Sequence, residues 1–286
     1  MTTILSWNIQ NGLGVDGLVS VKRISETIKN ICDPDVICLQ EVSVNMLLPN
    51  GNSSDQVSEL ASEFIGYEPL FGVAIDVSGS IQGKRGQYGN MVLSRYPVRS
   101  VFHHPLPQPV DGPRKQMPRQ MTEVTVEAPT GPLRIMATHL EFHSQKQRLA
   151  QATRIRDIEI EVGSQAAAPP TFAEKGPYSR FERASSSVLC GDFNFLLNSK
   201  EYDILTKPEN EAAGFHDVWT IANAGQDRAP TCGVFDQEQW PQGAHCRDFM
   251  FVTEELTGRI ESMAVDTTTN ASDHQPLVMV LSEDLH

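Results

Sequence analysis

Short apolar runs rich in β-branched residues recur along the chain, each bounded by glycine or polar residues. They are Ile4-Leu5-Ser6-Trp7, Val36-Ile37-Cys38-Leu39, Met91-Val92-Leu93-Ser94, Leu133-Arg134-Ile135-Met136-Ala137, Val188-Leu189-Cys190, Phe249-Met250-Phe251-Val252 and Leu277-Val278-Met279-Val280-Leu281. Nearly continuous apolar character over so few positions predicts strands buried on both faces. Between them, three stretches carry apolar residues at three- and four-residue steps, the spacing of one helix face. The first is Leu18, Val21, Ile24, Ile28 and Ile31; the second is Val57, Leu60, Ala61 and Phe64, behind the capping-box spacing Ser53 to Gln56; the third is Leu149, Ala152, Ile155, Ile158 and Val162. Strands interleaved with helices predict a layered α/β protein.

No internal repeat is visible. Residues 163–187, with Ala166-Ala167-Ala168-Pro169-Pro170 and Ser185-Ser186-Ser187, lie between a helix pattern and a strand and read as an inserted surface loop. Residues 1–286 are therefore expected to form one domain. A second irregular piece runs from Pro105 to Pro118 and holds five prolines.

A chain of 286 residues, 40% of them hydrophobic, buries enough surface to fold without a metal or disulfide staple. Its 23 basic and 36 acidic side chains leave a net charge of −13, which argues against a broad nucleic-acid-coating surface. The charge is uneven. Residues 33–83 carry Asp33, Asp35, Glu41, Asp55, Glu59, Glu63, Glu68 and Asp76 with no Lys or Arg, whereas 84–119 holds Lys84, Arg85, Arg95, Arg99, Arg114, Lys115 and Arg119 against Asp111 alone, a net of +6. That stretch is either a set of solvated loops or a surface that meets an anionic substrate, with Arg119 and Lys115 as the substrate-binding candidates.

Met1-Thr2-Thr3 leads straight into a strand pattern, with no room for a signal peptide, and no apolar run approaches a membrane span. The 5 cysteines lack zinc-site spacing; Cys38 and Cys190 fall in buried strands, Cys32 ends a helix pattern, and Cys232 and Cys246 flank a loop where they can pair. An odd total without an export signal favours reduced thiols. A cytoplasmic protein without membrane insertion is the expectation.

The polar residues with chemical potential sit at strand ends: Trp7-Asn8, Gln40-Glu41, Thr138-His139, Gly191-Asp192-Phe193-Asn194, Arg247-Asp248 and Ser272-Asp273-His274. A carboxylate at one strand end is ordinarily a helix cap or a surface turn, but this many together point to a site. Hard oxygen donors from Glu41 and Asn8, with Asp273 alongside, suit Mg²⁺. Histidines and carboxylates beside such an ion suit water activation and phosphate stabilisation. No Gly-x-Ser-x-Gly elbow and no Walker-type glycine loop is present.

The ordered series Ser6-Trp7-Asn8, Leu39-Gln40-Glu41, Gly89-Asn90 before Leu93-Ser94-Arg95, Thr138-His139-Leu140, Gly191-Asp192-Phe193-Asn194, Arg247-Asp248-Phe249 and Ser272-Asp273-His274 resembles the endonuclease/exonuclease/phosphatase superfamily, from residue 3 to 281. Leu140-Glu141-Phe142-His143-Ser144 and Cys246-Arg247-Asp248 look most like a bacterial branch of unassigned substrate. The resemblance implies a four-layer α/β sandwich, two mixed sheets face to face with helices outside, and a Mg²⁺ site at one rim, with Mn²⁺ as a substitute. It implies Glu41 as main metal ligand with Asn8 beside it and Asp273 supporting the metal side. His274, oriented by Asp248, would activate water; Asp192 would position or share that proton; Asn194 and His139 would bind phosphoryl oxygens.

One departure stands out. Some DNase-like members carry a glutamate near the Gly89-Asn90 strand that orients the histidine matching His139, and Tyr88-Gly89-Asn90 supplies none. His143 and Gln145 are candidates for substrate contact or for a solvent-facing helix start, Trp219 and Trp240 for stacking or for packing, and His103-His104 receives no role. The leading expectation is a Mg²⁺-dependent phosphodiesterase or nuclease acting on a phosphate ester, with nucleic acid as one candidate. The alternatives are a phosphatase or phospholipase C-type enzyme on inositol phosphates or sphingolipids, and a catalytically inactive binding module. The inositol 5-phosphatase pattern Gly-Asp-Leu-Asn-Tyr-Arg is absent, since Phe195-Leu196 follows Asn194.

Overall fold

The computed structural model describes all residues except 50, 52, 170, 172–175, 179–182, 209–213 and 285–286. Its framework is two six-stranded mixed sheets. In one, β1 (Thr2–Asn8) and β2 (Val36–Val44) lie parallel at the centre, β4 (Arg85–Ser94) and then β3 (Glu68–Ser78) follow β2, and β12 (Leu277–Leu281) and then β11 (Ile260–Val265) follow β1. In the other, β7 (Gly131–His139) and β8 (Ser187–Asp192) are the parallel central pair, flanked by β6 (Gln120–Ala128) and β5 (Val98–Pro105) on one side and by β10 (Asp248–Val252) and β9 (His216–Asp217) on the other. Helix α1 (Val21–Ile31) joins β1 to β2, and α3 (Gln145–Ala167) joins β7 to β8. Each sheet is thus built around the same strand–helix–strand unit. The likeness is topological and leaves no trace as a repeat in the sequence.

Three apolar clusters divide the space between layers. Ile4, Val36, Cys38, Val92, Ile135, Ala137, Val188, Cys190, Met250 and Met279 fill the gap between the sheets. Leu5, Trp7, Ile37 and Leu39, on the opposite face of the first sheet, meet Ile24 and Ile28 of α1 and Leu60 of α2 (Gln56–Glu63). Met136, Leu189, Phe249 and Phe251 meet Ala152, Ile155 and Ile158 of α3 and Leu205 of α4 (Lys200–Thr206). The fold is the helix–sheet–sheet–helix sandwich expected, with short α5 (Val218–Ala222) and α6 (Glu254–Thr257) near its β9–β11 side.

Strand parity explains where the polar groups go. Side chains alternate between faces along a strand. The residues that fill the inter-sheet core are followed, on the same face, by Asn8 after Ile4 and Ser6, by His139 after Ile135 and Ala137, and by Asp192 after Val188 and Cys190; Asp248 precedes Met250 and Val252. The core becomes polar at one end of the sandwich.

Several elements differ from the sequence-based expectation. Helix α1 begins at Val21 behind the Ser20 cap, and Leu18 is exposed because residues 13 and 19 form a β-bridge instead. Asp55, not Ser53, caps α2, and Gln56 uses its side chain on Ser43 and Asn11. Helix α3 continues to Ala167, beyond the start expected for the loop 163–187, much of which lies outside the described residues. The edge strands β3, β5, β9 and β11, and the inner strand β6, add to the seven runs expected. His103 and His104 lie in β5, where His104 Nε2 is 2.9 Å from Glu123. Trp219 packs in the inter-sheet core. The Sγ atoms of Cys232 and Cys246 turn to His245 and to the Asp248 carbonyl respectively. No helix among the described residues is long and apolar enough to cross a membrane.

Candidate active site

At the polar end of the sandwich lies a cleft of about 460 Å³, lined on its floor by Glu41, His139, Asp192, Asn194, Asp273 and His274. Glu41 reaches it through a break in strand parity. Pairing of β2 with β4 shifts register between Leu39 and Val42, and both of those residues face the helices, so Gln40 and Glu41 share the place of one residue. Glu41 takes φ of +63°, which a side-chain-bearing residue seldom adopts. The bulge turns its carboxylate into the cleft, where unbroken alternation would have aimed it at the helices. Asn194, with φ of +53°, is bent in the same manner after β8. Gly191 lets that strand pass: a Cβ there would lie 1.9 Å from the Thr138 carbonyl oxygen.

Amide donors hold Glu41. Asn8 Nδ2 donates to Glu41 at 3.1 Å and to Asp192 at 3.0 Å, and Asn11 Nδ2 donates to the second Glu41 oxygen at 3.2 Å. Asn8 Oδ1 accepts from the Gln10 backbone, so Asn8 bridges two carboxylates through its amide nitrogen in this arrangement. Tyr88, on the inner face of β4, hydrogen-bonds to Glu41. The position before Gly89 therefore serves Glu41, not His139. His139 Nε2 instead lies 3.0 Å from Asn194 Nδ2 and 3.3 Å from Asp192, with Nδ1 3.9 Å from Glu41. Burial, then the charges of Arg119 and His274, push the His139 imidazole well below its ordinary range and keep it neutral.

His274 has a different environment. Its Nδ1 is 2.8 Å from Asp248 Oδ2, which also accepts from the Thr231 hydroxyl at 2.6 Å. Its Nε2 faces Asp192 at 3.7 Å and Asp273 at 3.8 Å. Burial opposes a charge there, but Asp248, Asp273 and Asp192 outweigh it and hold the imidazole well above its usual pKa. Burial raises Asp192 to about 7 and Asp273 to about 6, each opposed by the His274 charge. Gln239 Nε2 and Trp240 Nε1 donate to Asp273 Oδ2 at 2.8 and 3.2 Å. The backbone is pinned as well: Trp7 Nε1 donates to the His274 carbonyl at 2.9 Å, and Ser272 Oγ to the Asn8 carbonyl at 2.8 Å.

Two carboxylate groupings compete as a cation site. Asp192, Asp248 and His274 bring ligand atoms within 4.8 Å of one another, but Asp248 Oδ2 already accepts from His274 and Thr231. Glu41 opens on the cleft and keeps only amide and phenol donors, so its oxygens suit a hard divalent ion better.

The basic stretch 84–119 does not form one surface, so of the two alternatives the sequence left open, solvated positions account for most of it. Arg85 pairs with Asp76, Arg95 with Asp33 and Asp35, Arg99 with Glu127 and Arg114 with Asp111, and none of these four arginines lines the cleft. Sequence proximity of like charges says nothing about the carboxylates that folding brings opposite them. Lys115 and Arg119 do line it. Arg119 is 7% exposed, its Nε donates to Glu141 at 3.3 Å, and its Nη1 is buried without a partner.

The cleft has further lining: Met117 and Gln239, which no motif marked out, Glu141 and Phe142 of the segment 140–144, His143 just before α3, and Trp240, the last two being sequence candidates for substrate contact and stacking. Glu141 accepts from the Met117 and His143 backbone nitrogens, fixing the proline loop as a wall. Ser144 Oγ to Asp111 at 2.6 Å and Gln151 Nε2 to the Pro107 carbonyl at 3.2 Å tie the same loop to α3. Gln145 opens α3 away from the lining.

Comparison with known proteins agrees with this architecture. A structure from Beutenbergia cavernae, described as an endonuclease/exonuclease/phosphatase, superposes with a TM-score of 0.63 at 24% identity, covering 98% of this chain and 72% of its own. Bacteroides thetaiotaomicron mannosyl-6-phosphatase superposes with a TM-score of 0.68 at 18% identity, covering 98% of this chain and 99% of its own. Truncated Caenorhabditis elegans TDP2 gives 0.60 at 18% identity, covering 97% of this chain and 96% of its own. No curated protein matches the chain in sequence. The model of the Endonuclease/Exonuclease/phosphatase family matches residues 5–274, a span that begins in β1 and ends on His274. The chain belongs to that family, whose members hydrolyse phosphoester bonds.

Proposed function

We propose that the chain is a divalent-metal-dependent hydrolase that attacks a compact phosphate ester with water. The observation that carries this reading is the convergence of Glu41, His139, Asp192, Asn194, Asp273 and His274 on one cleft floor from both sheets. Mg²⁺, or Mn²⁺ in its place, would be held by Glu41, with Asp273 on the same side and Asn8 and Asn11 orienting the Glu41 carboxylate. The ion supplies charge that offsets the negative charge developing on the phosphoryl oxygens.

The side chains divide the remaining work. Asp248 and Thr231 fix the His274 ring so that Nε2 points at the cleft. The charged imidazole donates toward a phosphoryl oxygen, and Asp192, titrating at about 7, takes the proton of the attacking water. Asn194 and the neutral His139 stabilise the other phosphoryl oxygens. Arg119 and Lys115, both on the cleft lining, bind the anion. The intact His274–Asp248 pair disfavours an inactive binding module.

Charge placement favours a compact ester over a nucleic acid. A net charge of −13, with most of the basic stretch consumed in ion pairs, offers no track of cations for a polyanion among the described residues. The Bacteroides mannosyl-6-phosphatase of similar extent supports the same preference. The test is turnover of bis-p-nitrophenyl phosphate, p-nitrophenyl phosphate, hexose phosphates, inositol phosphates, sphingomyelin and oligonucleotides with Mg²⁺, Mn²⁺ or EDTA. Chelator-sensitive hydrolysis with the highest kcat/KM on a small ester is expected. No chelator-sensitive turnover on any of them overturns the hydrolase reading, and a duplex as best substrate overturns the compact one.

A further inference from the structure

We propose that Phe142, braced by Trp240, is a shelf for the alcohol half of the ester, and that this half carries a ring with a flat apolar face. The inference rests on the hydrolase reading above. Phosphate recognition needs charge and donors, which the cleft floor and Arg119 supply; an aromatic wall adds nothing to it and acts on whatever the phosphate is attached to.

The wall is continuous with the reacting groups. Trp240 stands edge-on to the His274 imidazole, with ring centroids 5.6 Å apart at 81°. Phe142 stands edge-on to Trp240 at 5.8 Å and 75°. The next ring outward is His143, 4.8 Å from Phe142 at 87°. A row of rings therefore runs from the catalytic histidine to the cleft mouth. Trp240 is buried and its Nε1 is committed to Asp273, so it serves as the brace. Phe142 is 40% exposed and offers the open surface.

Phe142 is also fixed before any ligand arrives. The Arg247 guanidinium lies 5.4 Å from its ring centroid and 5.1 Å from that of Trp240. Arg247 is itself anchored, Nη1 donating to the Asn194 carbonyl at 3.0 Å and Nε to His245 at 2.8 Å. A rigid aromatic surface binds a ring at little ordering cost. A cleft of about 460 Å³ is within the range that encloses a small ligand. A nucleoside base and the C–H face of a sugar or cyclitol share the required chemistry.

Binding separates this proposal from the hydrolase reading. Wild type and Phe142→Ala, in Mg²⁺, are titrated with inorganic phosphate, glycerol 3-phosphate, glucose 6-phosphate and adenosine 5′-monophosphate. At least one ring-bearing ligand is expected to bind wild type on the order of tenfold tighter than glycerol 3-phosphate. Phe142→Ala should remove that preference, leave inorganic phosphate within about twofold, and be rescued by Phe142→Trp. The glucose and adenosine arms tell which ring source fits. Equal affinity for ringless and ring-bearing ligands, or a Phe142→Ala loss that includes inorganic phosphate, overturns the shelf alone. Failure of wild type to bind any of the four overturns the hydrolase reading and the shelf with it.

Discussion

The His274 Nδ1 to Asp248 Oδ2 bond of 2.8 Å joins a residue that precedes β12 of one sheet to the first residue of β10 in the other. The two groups have no local connection and act only because the sandwich closes.

They should therefore behave as one unit. His274→Ala and Asp248→Asn are each expected to lower kcat by on the order of 10² to 10⁴, and the double variant by little more than either. Additive losses, measured as kcat for the three variants on one small ester, would show that the residues work separately.

Glu41→Gln keeps the shape of the carboxylate and removes its charge. Mg²⁺ affinity by calorimetry should fall by at least on the order of 100-fold, with an unchanged melting temperature. Asn11→Ala, which removes one amide that orients Glu41, should cost on the order of 10-fold to 100-fold. Wild-type metal affinity in Glu41→Gln would place the ion elsewhere, with Asp192 and Asp248 the first alternative.

Lys115 and Arg119 should separate by salt. Lys115 is exposed, so Lys115→Ala is expected to raise KM chiefly at low ionic strength, where screening is weak. Arg119 is buried against Glu141, so Arg119→Ala should raise KM at every salt concentration and lower the melting temperature as well, since it strands the Glu141 carboxylate. KM at two salt concentrations beside a melting curve checks both; an unmoved KM in the double variant removes these residues from the substrate.

Glu123 predicts a pH dependence remote from the chemistry. Burial alone would raise its pKa, but hydrogen bonds from His104 and Arg183 and the charges of Arg134 and Arg183 hold it from the usual 4.5 down to about 2. A folded value below the unfolded one contributes stability that is complete above the unfolded pKa and is lost as pH falls through about 4.5 toward 2. Urea melts at pH 6 and pH 3 should show a loss in wild type of about 2 to 3 kcal/mol from this group that Glu123→Gln does not share. Equal losses in both proteins count against the network.

The strands that were legible in the chain are those buried on both faces, where nearly every position is apolar. β5 escaped because it is an edge strand of mostly half-exposed residues with no continuous apolar run, whereas β3, also at an edge and mostly exposed or half-exposed, does carry a run in Leu70-Phe71-Gly72-Val73-Ala74-Ile75 that could have been read. β6 escaped for another reason: Thr122, Glu123 and Thr125 are buried polar residues, the first two satisfied by contacts that no local pattern announces. The site divides likewise. Asn8, His139, Asp192 and Asp248 sit where the inward-facing parity of an apolar strand ends in a polar residue, a signal present in the letters. Thr231, Gln239 and Trp240 come from aperiodic loops and owe their roles to Asp248 and Asp273 across the fold. Tyr88 was visible only as a missing glutamate, and the bulge that aims Glu41 shows no glycine or proline to mark it.

The pairing of β1 with β12 sets side by side two strands that lie far apart along the chain. Ser272 and Asn8, whose side-chain-to-backbone bond ties the two arms of the site, are separated by 264 positions. Any change that frees β12 from β1 would therefore leave Glu41, His139 and Asp192 in place but withdraw the His274 imidazole from them, with β1 keeping β2 as its one remaining neighbour.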